Sequence, residues 1–346
     1  MRVGAARAAA VHWVAAHARP ATGYRGAYFS GSTVGRADDA ELPPSSDVDV
    51  VVVTEEDDPP VKPGKLRHEG ALLEITYVPW AELRDPEAVL SSYHLAGSFR
   101  SDTVIDDPTG DLRSLYAYVS SRFTDRRRVR RRCLDARHRV EGRLAAFDAS
   151  APFHEQVPAW MFPTGVTTHV LLVAALRNPT VRLRYRAVRD VLGAYGQPEL
   201  YRELLGLLGC ADVSARQVRH HVAELTRTFD ATVPVARTPF FFSSDLTEQA
   251  RPIAVDGSLE LLERGEHREA VFWIIATLAR CHTVLAVDAP ALHTARLPAF
   301  EAAVAELTGI TCTADLLDRR EEVLRFLPRL EEATETVLAA NPGITG

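Results

Sequence analysis

A chain of 346 residues has room for two folded domains. With 46% hydrophobic and 25% charged residues, its balance is that of a soluble globular protein and excludes a disordered or collagen-like chain. A net charge of -6 argues against a dedicated nucleic-acid binder and leaves only a local basic groove open. The basic residues are almost all Arg, and Lys62 and Lys65 are the only lysines. With the abundant alanine, this is the composition expected of a GC-rich bacterial genome. Cys133, Cys210, Cys281 and Cys312 are scattered, with no C-x-x-C, which reads as reduced thiols in a cytoplasmic protein. No apolar run approaches the roughly 18–20 residues that a membrane span needs, so no membrane partner is expected.

Residues 1–19 read as an amphipathic helix that packs beside the first strand. Arg7, His12 and His17 interrupt its apolar stretch, against a secretory signal. Residues 23–30 form the first strand, closed by Gly31-Ser32. A second strand runs over 47–54 and opens with Asp47 and Asp49. Residues two apart in a strand point to one face, so both carboxylates aim at one place. The unbroken valines that follow predict a strand covered on both sides. Two acids so placed repel unless a cation sits between them, and hard oxygen ligands without His or Cys favour Mg2+ or Mn2+. At Gly31 the backbone can approach a ligand closely, and a tight turn there points N–H groups at a phosphate, with the Ser32 hydroxyl as a further donor. There is no Gly-Lys-Ser/Thr loop and no G-x-G-x-x-G. Residues 55–60 are a solvated acidic turn, and 61–69 a polar loop whose Lys62, Lys65 and Arg67 leave a triphosphate contact open. Residues 71–78 form a third strand, with Glu74 and Thr76 on the face opposite Leu73 and Ile75.

The pattern Phe29-Ser30-Gly31-Ser32, a spacer, Asp47-Val48-Asp49 and then Leu73-Glu74-Ile75-Thr76 resembles the DNA-polymerase-β-type nucleotidyltransferase superfamily. The last stretch is similar to its branch of aminoglycoside and other small-molecule adenylyltransferases. One departure is a longer spacer carrying Asp38, Asp39, Glu41 and Pro43-Pro44. The resemblance implies an α+β chain: a small mixed-sheet nucleotidyltransferase domain at 1–118, then an all-α helical-bundle domain at 119–346 that binds the acceptor. It also implies two Mg2+ ions, with Mn2+ as a substitute, held by Asp47, Asp49 and Glu74, and ATP or another NTP as co-substrate. Glu74 either completes the ion site or takes the acceptor proton. Gly31 and Ser32 grip the β/γ-phosphates. The implied reaction transfers AMP from ATP to a hydroxyl of a small, aminoglycoside-like molecule and releases pyrophosphate. The alternatives are a protein-modifying or antitoxin-like enzyme with a protein partner, an RNA-end nucleotidyltransferase, or a non-catalytic nucleotide-binding or scaffold protein.

Residues 81–98 look helical. Residues 101–110 form a short strand into a turn shaped by Asp106 and Asp107, similar to the segment that closes the domain in this branch. Helical periodicity takes over from about 112. The block Arg126-Arg127-Arg128-Val129-Arg130-Arg131-Arg132 reads as a solvated helix face paired with Asp125, Asp135 and Glu141, in preference to a nucleic-acid patch. Pro152 to Pro163 breaks the helices, and a buried helix covers 164–177. A further helix starts at Asn178 and carries Arg182, Arg186 and Arg189 on one face; by the resemblance, Arg182 and Arg186 face the triphosphate. Phe240-Phe241-Phe242 is a loop that lines an acceptor pocket or plugs a core. Residues 265–285 form a long helix on which Glu269 and Trp273 are acceptor-binding candidates. The last helices run over 294–340.

Overall fold

The computed structural model describes residues 1–59 and 62–346. Pro60 and Val61, where the expected acidic turn ends and the expected loop begins, lie outside the described residues. The chain divides into two compact units: Met1–Arg132 with Leu176–Pro179 and Pro342–Gly346, and Cys133–Ala175 with Thr180–Asn341. The change-over expected at residue 118 falls inside a helix of the first unit, Asp111–Ser120.

The first unit is α+β. Its described strands are β1 (Tyr24–Ser30), β2 (Val48–Thr54), β3 (Gly64–His68), β4 (Ala71–Pro79) and β5 (Val104–Asp106), and its helices are α1 (Val3–Trp13), α2 (Pro86–Ser91), α3 (Asp111–Ser120) and α4 (Arg126–Ala145), the last running on into the second unit. The sheet order is β3-β4-β2-β1-β5; β2 and β4 are parallel, and the other pairs antiparallel. The valines of β2 explain its central place. Val48, Val50 and Val52 enter one core cluster with Ala6, Ala10 and Trp13 of α1 and with Leu73 and Ile75 of β4. Val51 and Val53 enter another with Leu90 of α2, Phe99, and Leu112 and Leu115 of α3. Stiff β-branched side chains suit both faces of a pleated strand, and each buried valine contributes roughly 1.5–3 kcal/mol. Asp47 and Asp49 share the alternation of Val51 and Val53, so their face of the sheet is fixed by the core beyond them.

The long 33–46 spacer has a structural task. Arg2 caps α1 with no side-chain bond, and the spacer satisfies the orphan N–H groups instead: Val3 donates to the Ala40 carbonyl and Gly4 to the Asp38 carbonyl, both at 2.9 Å. Arg7 holds the Asp38 carboxylate at 2.7 Å.

Several expectations are corrected. Residues 64–68 are a strand, not a loop: β3 pairs with β4, Lys65 opposite Glu74. Lysine is depleted in strands, and here the opposite charge across the ladder compensates. Residues 81–98 are not one helix but α2 flanked by 3-10 turns at Trp80–Glu82 and Ala96–Phe99. Asp85 caps α2 through the Glu87 N–H at 2.9 Å, with Pro86 at the first helical position, which starts the helix late. The arginine block is not simply solvated. Arg132 is buried and donates to the carbonyls of Leu90 (3.1 Å) and Phe123 (2.6 Å), and Arg128 pairs with Glu87. Asp125 serves as the cap of α4, accepting from the Arg127 N–H at 2.8 Å.

Among its described residues the second unit is helical beyond the part of α4 that it shares. Its helices are α5 (Phe153–Ala174), α6 (Arg184–Ala194), α7 (Pro198–Leu208), α8 (Ala215–Thr232), α9 (Gly257–Glu263), α10 (His267–Asp288), α11 (Pro290–Thr308) and α12 (Thr313–Ala340). The break expected over 152–163 is absent: Pro158 and Pro163 lie within α5. At about 3 kcal/mol for a proline in a helix interior, the pair costs about 6 kcal/mol. Trp160, Met161, Leu171 and Leu172 are fully buried there, and at roughly 1.5–3 kcal/mol each they outweigh it. Helix α6 begins at Arg184, so Arg182 precedes it and does not share its face. Helices α5 and α10 are long and apolar enough to cross a membrane by length and composition, with mean hydropathy 1.3 and 1.8, and most of each is buried within the protein.

Candidate active site

Register across the first unit's sheet sets one residue from each of four strands in a row. Ser30 of β1 is opposite Asp49 of β2, Asp49 is beside Glu74 of β4, and Glu74 faces Lys65 of β3. Asp47 stands just before β2, two residues from Asp49 and on its side. Asp47, Asp49 and Glu74 each offer a carboxylate oxygen within 4.8 Å of the others. The side chains of Asp47 and Glu74 keep 15% and 18% of their surface exposed, enough to meet a ligand.

The turn after β1 is built against this group. Gly31 has φ +65, a conformation that favours glycine, and a Cβ there would overlap the Asp49 carboxylate. The Ser32 N–H donates to Asp49, while Ser32 itself is exposed. Asn178 steadies the turn, its amide donating to the Gly31 carbonyl at 2.5 Å. Arg100 donates to the carbonyls of Val34 (3.1 Å) and Leu176 (3.3 Å). Burial, and then the charge of Arg177, make the Arg100 guanidinium easier to deprotonate than usual, the signature of two cations gathered in a partly dry place.

Burial pushes the Asp47 carboxyl above the usual range; Glu74 adds to the rise and Lys65 opposes it. Asp49 is pushed well above, first by burial and then by the charges of Asp47 and Glu74, with Lys65 and the Ser32 N–H opposing. Positive charge is already present beside them. The Lys65 ammonium, 4% exposed, lies 2.6 Å from Glu74 Oε2 and 3.3 Å from Asp47 Oδ2, and Lys62 lies 3.0 Å from Glu74 Oε1.

No family model, curated protein or solved structure matches the chain. The site's chemistry therefore stands on its geometry alone. Three converging carboxylates suit a hard divalent cation, and the turn beside them, with Ser32 exposed, suits an anion.

The structure brings Gly31, Ser32, Asp47, Asp49 and Glu74 together in the first unit; strand periodicity puts Asp47 and Asp49 on one face, and the meeting with Glu74 and the turn is the one the resemblance implies. Arg182, Arg186, Glu269 and Trp273 belong to the second unit. There Arg182 donates to the Gly257 carbonyl at 3.3 Å, and Arg186 lies 3.3 Å from Glu266. Glu269 is buried and accepts from Arg189 (2.6 Å) and Tyr201 (2.7 Å). Trp273 is buried with the Arg280 guanidinium 5.3 Å from its ring centroid. In the 240–242 loop Phe242 is buried and Phe241 exposed. Sequence reasoning missed Lys65 and Lys62 as parts of the acid cluster, and Asn178 and Arg100 as supports of the turn. For the lysines a signal existed: they are the only two in a chain that uses arginine everywhere else.

Proposed function

We propose that the chain is a metal-dependent nucleotidyltransferase that moves a nucleoside monophosphate, AMP from ATP, to a hydroxyl of a small molecule such as an aminoglycoside-like antibiotic. The observation that carries this reading is the packing of the Gly31 turn directly on the Asp49 carboxylate, which joins an anion cradle to a carboxylate cluster in one place. In the reaction the acceptor oxygen bonds to the α-phosphorus. The bond to the β-phosphate bridging oxygen breaks, pyrophosphate leaves with that electron pair, and the acceptor proton passes to a base. The exposed Ser32 hydroxyl would bind the leaving phosphates, the Ser32 N–H being held by Asp49, and Arg100 and Arg177 offer positive charge in the same unit.

The residues fit a divalent cation. Asp47 and Asp49 are held in a half-buried, mutually repelling arrangement that an ion would relieve, and oxygen donors suit Mg2+ or Mn2+. Such an ion supplies electrostatic stabilisation of charge on the phosphate oxygens. The RNA-end alternative draws less support, because Arg128 and Arg132 of the arginine block are engaged by Glu87 and by backbone carbonyls.

Proton and ion compete for the same oxygens. Since both Asp47 and Asp49 hold their protons more tightly than usual, Mn2+ affinity is expected to fall as the pH is lowered from 7.5 to 5, with protons released on binding. For the ion-free chain the sign reverses. A raised carboxyl favours the folded state in its protonated form, so stability is lost as pH rises from the unfolded value of about 3.9 through the raised folded value. Mn2+ titrations at the two pH values check the first statement and thermal unfolding in chelator the second. The reading as a whole is tested by calorimetric titration of the four ribonucleoside triphosphates with Mg2+, followed by an acceptor screen that reads pyrophosphate release.

A further inference from the structure

We propose that Lys65, seconded by Lys62, takes the place of one of two divalent ions, so that the site operates with a single ion held by Asp47 and Asp49. This rests on the nucleotidyl-transfer reading and changes its charge balance. Both oxygens of Glu74 face ammonium groups, Oε1 that of Lys62 at 3.0 Å and Oε2 that of Lys65 at 2.6 Å. The Lys65 ammonium also reaches Asp47 Oδ2 at 3.3 Å, so it sits between two of the three carboxylates that a second ion would need.

The charges favour this arrangement. Three carboxylates and two ammonium groups leave one net negative charge. One divalent ion then brings the cluster to a single net positive charge. A lysine-free trio of carboxylates reaches that same balance only with two ions. Two ammonium groups and one ion already supply the positive charge that two ions bring to such a trio, so a second ion here would exceed that balance by two charges whatever the triphosphate adds.

Residue choice points the same way. An ammonium is a compact point charge with three donors, the closest side-chain equivalent of a metal ion, whereas guanidinium is a planar fork. The chain uses arginine at every other basic position and keeps lysine at these two alone. Lys65 is also fixed: β3 pairs it opposite Glu74, and its side chain is 4% exposed. Glu74 is then a positioning residue that holds Lys65, and neither an ion ligand nor the proton acceptor.

The test counts ions. Native mass spectrometry of the full chain with Mn2+ and a non-hydrolysable ATP analogue reads the number of Mn2+ per nucleotide complex. Wild type is expected to carry one. Lys62→Met/Lys65→Met, if it folds, is expected to carry two. Lys62→Met, which removes only the less buried lysine, is expected to bind a second Mn2+ at higher concentration. Two ions in the wild-type complex would overturn the inference while leaving the nucleotidyl-transfer reading intact, and the wild-type count decides this even if the double variant fails to fold. A lysine-free variant that folds and stays at one ion would also overturn it. A wild-type chain that takes up no nucleotide would overturn the underlying reading, and the inference with it.

Discussion

Asp49→Asn is expected to lower turnover by about a thousandfold, the loss that follows removal of a single strong electrostatic contributor, or roughly 4 kcal/mol of barrier. The fold should survive. Asparagine has the shape of aspartate, and Asp49 carries a charge that burial and its two acidic neighbours already disfavour. In chelator the unfolding midpoint of the variant is therefore expected to equal or exceed that of wild type at neutral pH, where the native carboxylate is least comfortable. Activity by pyrophosphate release and thermal unfolding on the same sample separate the two effects. Turnover near the wild-type rate would remove Asp49 from the chemistry.

Gly31→Ala reaches the same carboxylate from the other side and is expected to damage both properties. At φ +65 an alanine costs roughly 1–2 kcal/mol in backbone conformation alone. Its Cβ would also occupy the position of the Asp49 carboxylate, so either the turn or the acid must move. Displacing the acid breaks the Ser32 N–H bond and the alignment with Glu74. Activity should fall to a level similar to Asp49→Asn, but with a lower unfolding midpoint. That opposite sign in stability is the useful contrast: an alanine that left both the midpoint and the rate untouched would show that the turn is not packed on the acid.

The carboxylates were legible because a strand has a fixed alternation. Asp47, Asp49 and Glu74 each precede or interrupt a run of buried aliphatic residues, and period two settles which way they point. What the sequence hid were effects of chain segments that meet only in three dimensions. Lys65 looks like a loop cation because its strand is short and its partner is an acid on the neighbouring strand. Asn178 lies 147 positions from the Gly31 carbonyl to which it donates, and no local pattern links them. Arg132 reads as one more solvated arginine until the Leu90 and Phe123 carbonyls are seen to receive it. The prolines of α5 mislead for a related reason: local propensity favours a break, and the burial of Trp160 and its neighbours overrules it.

On the proposed reading, one place in the first unit binds a nucleotide together with a divalent ion. Calorimetric titration of each ribonucleoside triphosphate, with Mg2+ and with chelator, on wild type and on Asp47→Asn/Asp49→Asn tests it most directly. Saturable binding of ATP that requires Mg2+ is expected in wild type, and its loss is expected in the double variant while that variant remains folded. Binding of no nucleotide by the folded wild-type chain, or Mg2+-dependent binding that the double variant retains, would contradict it.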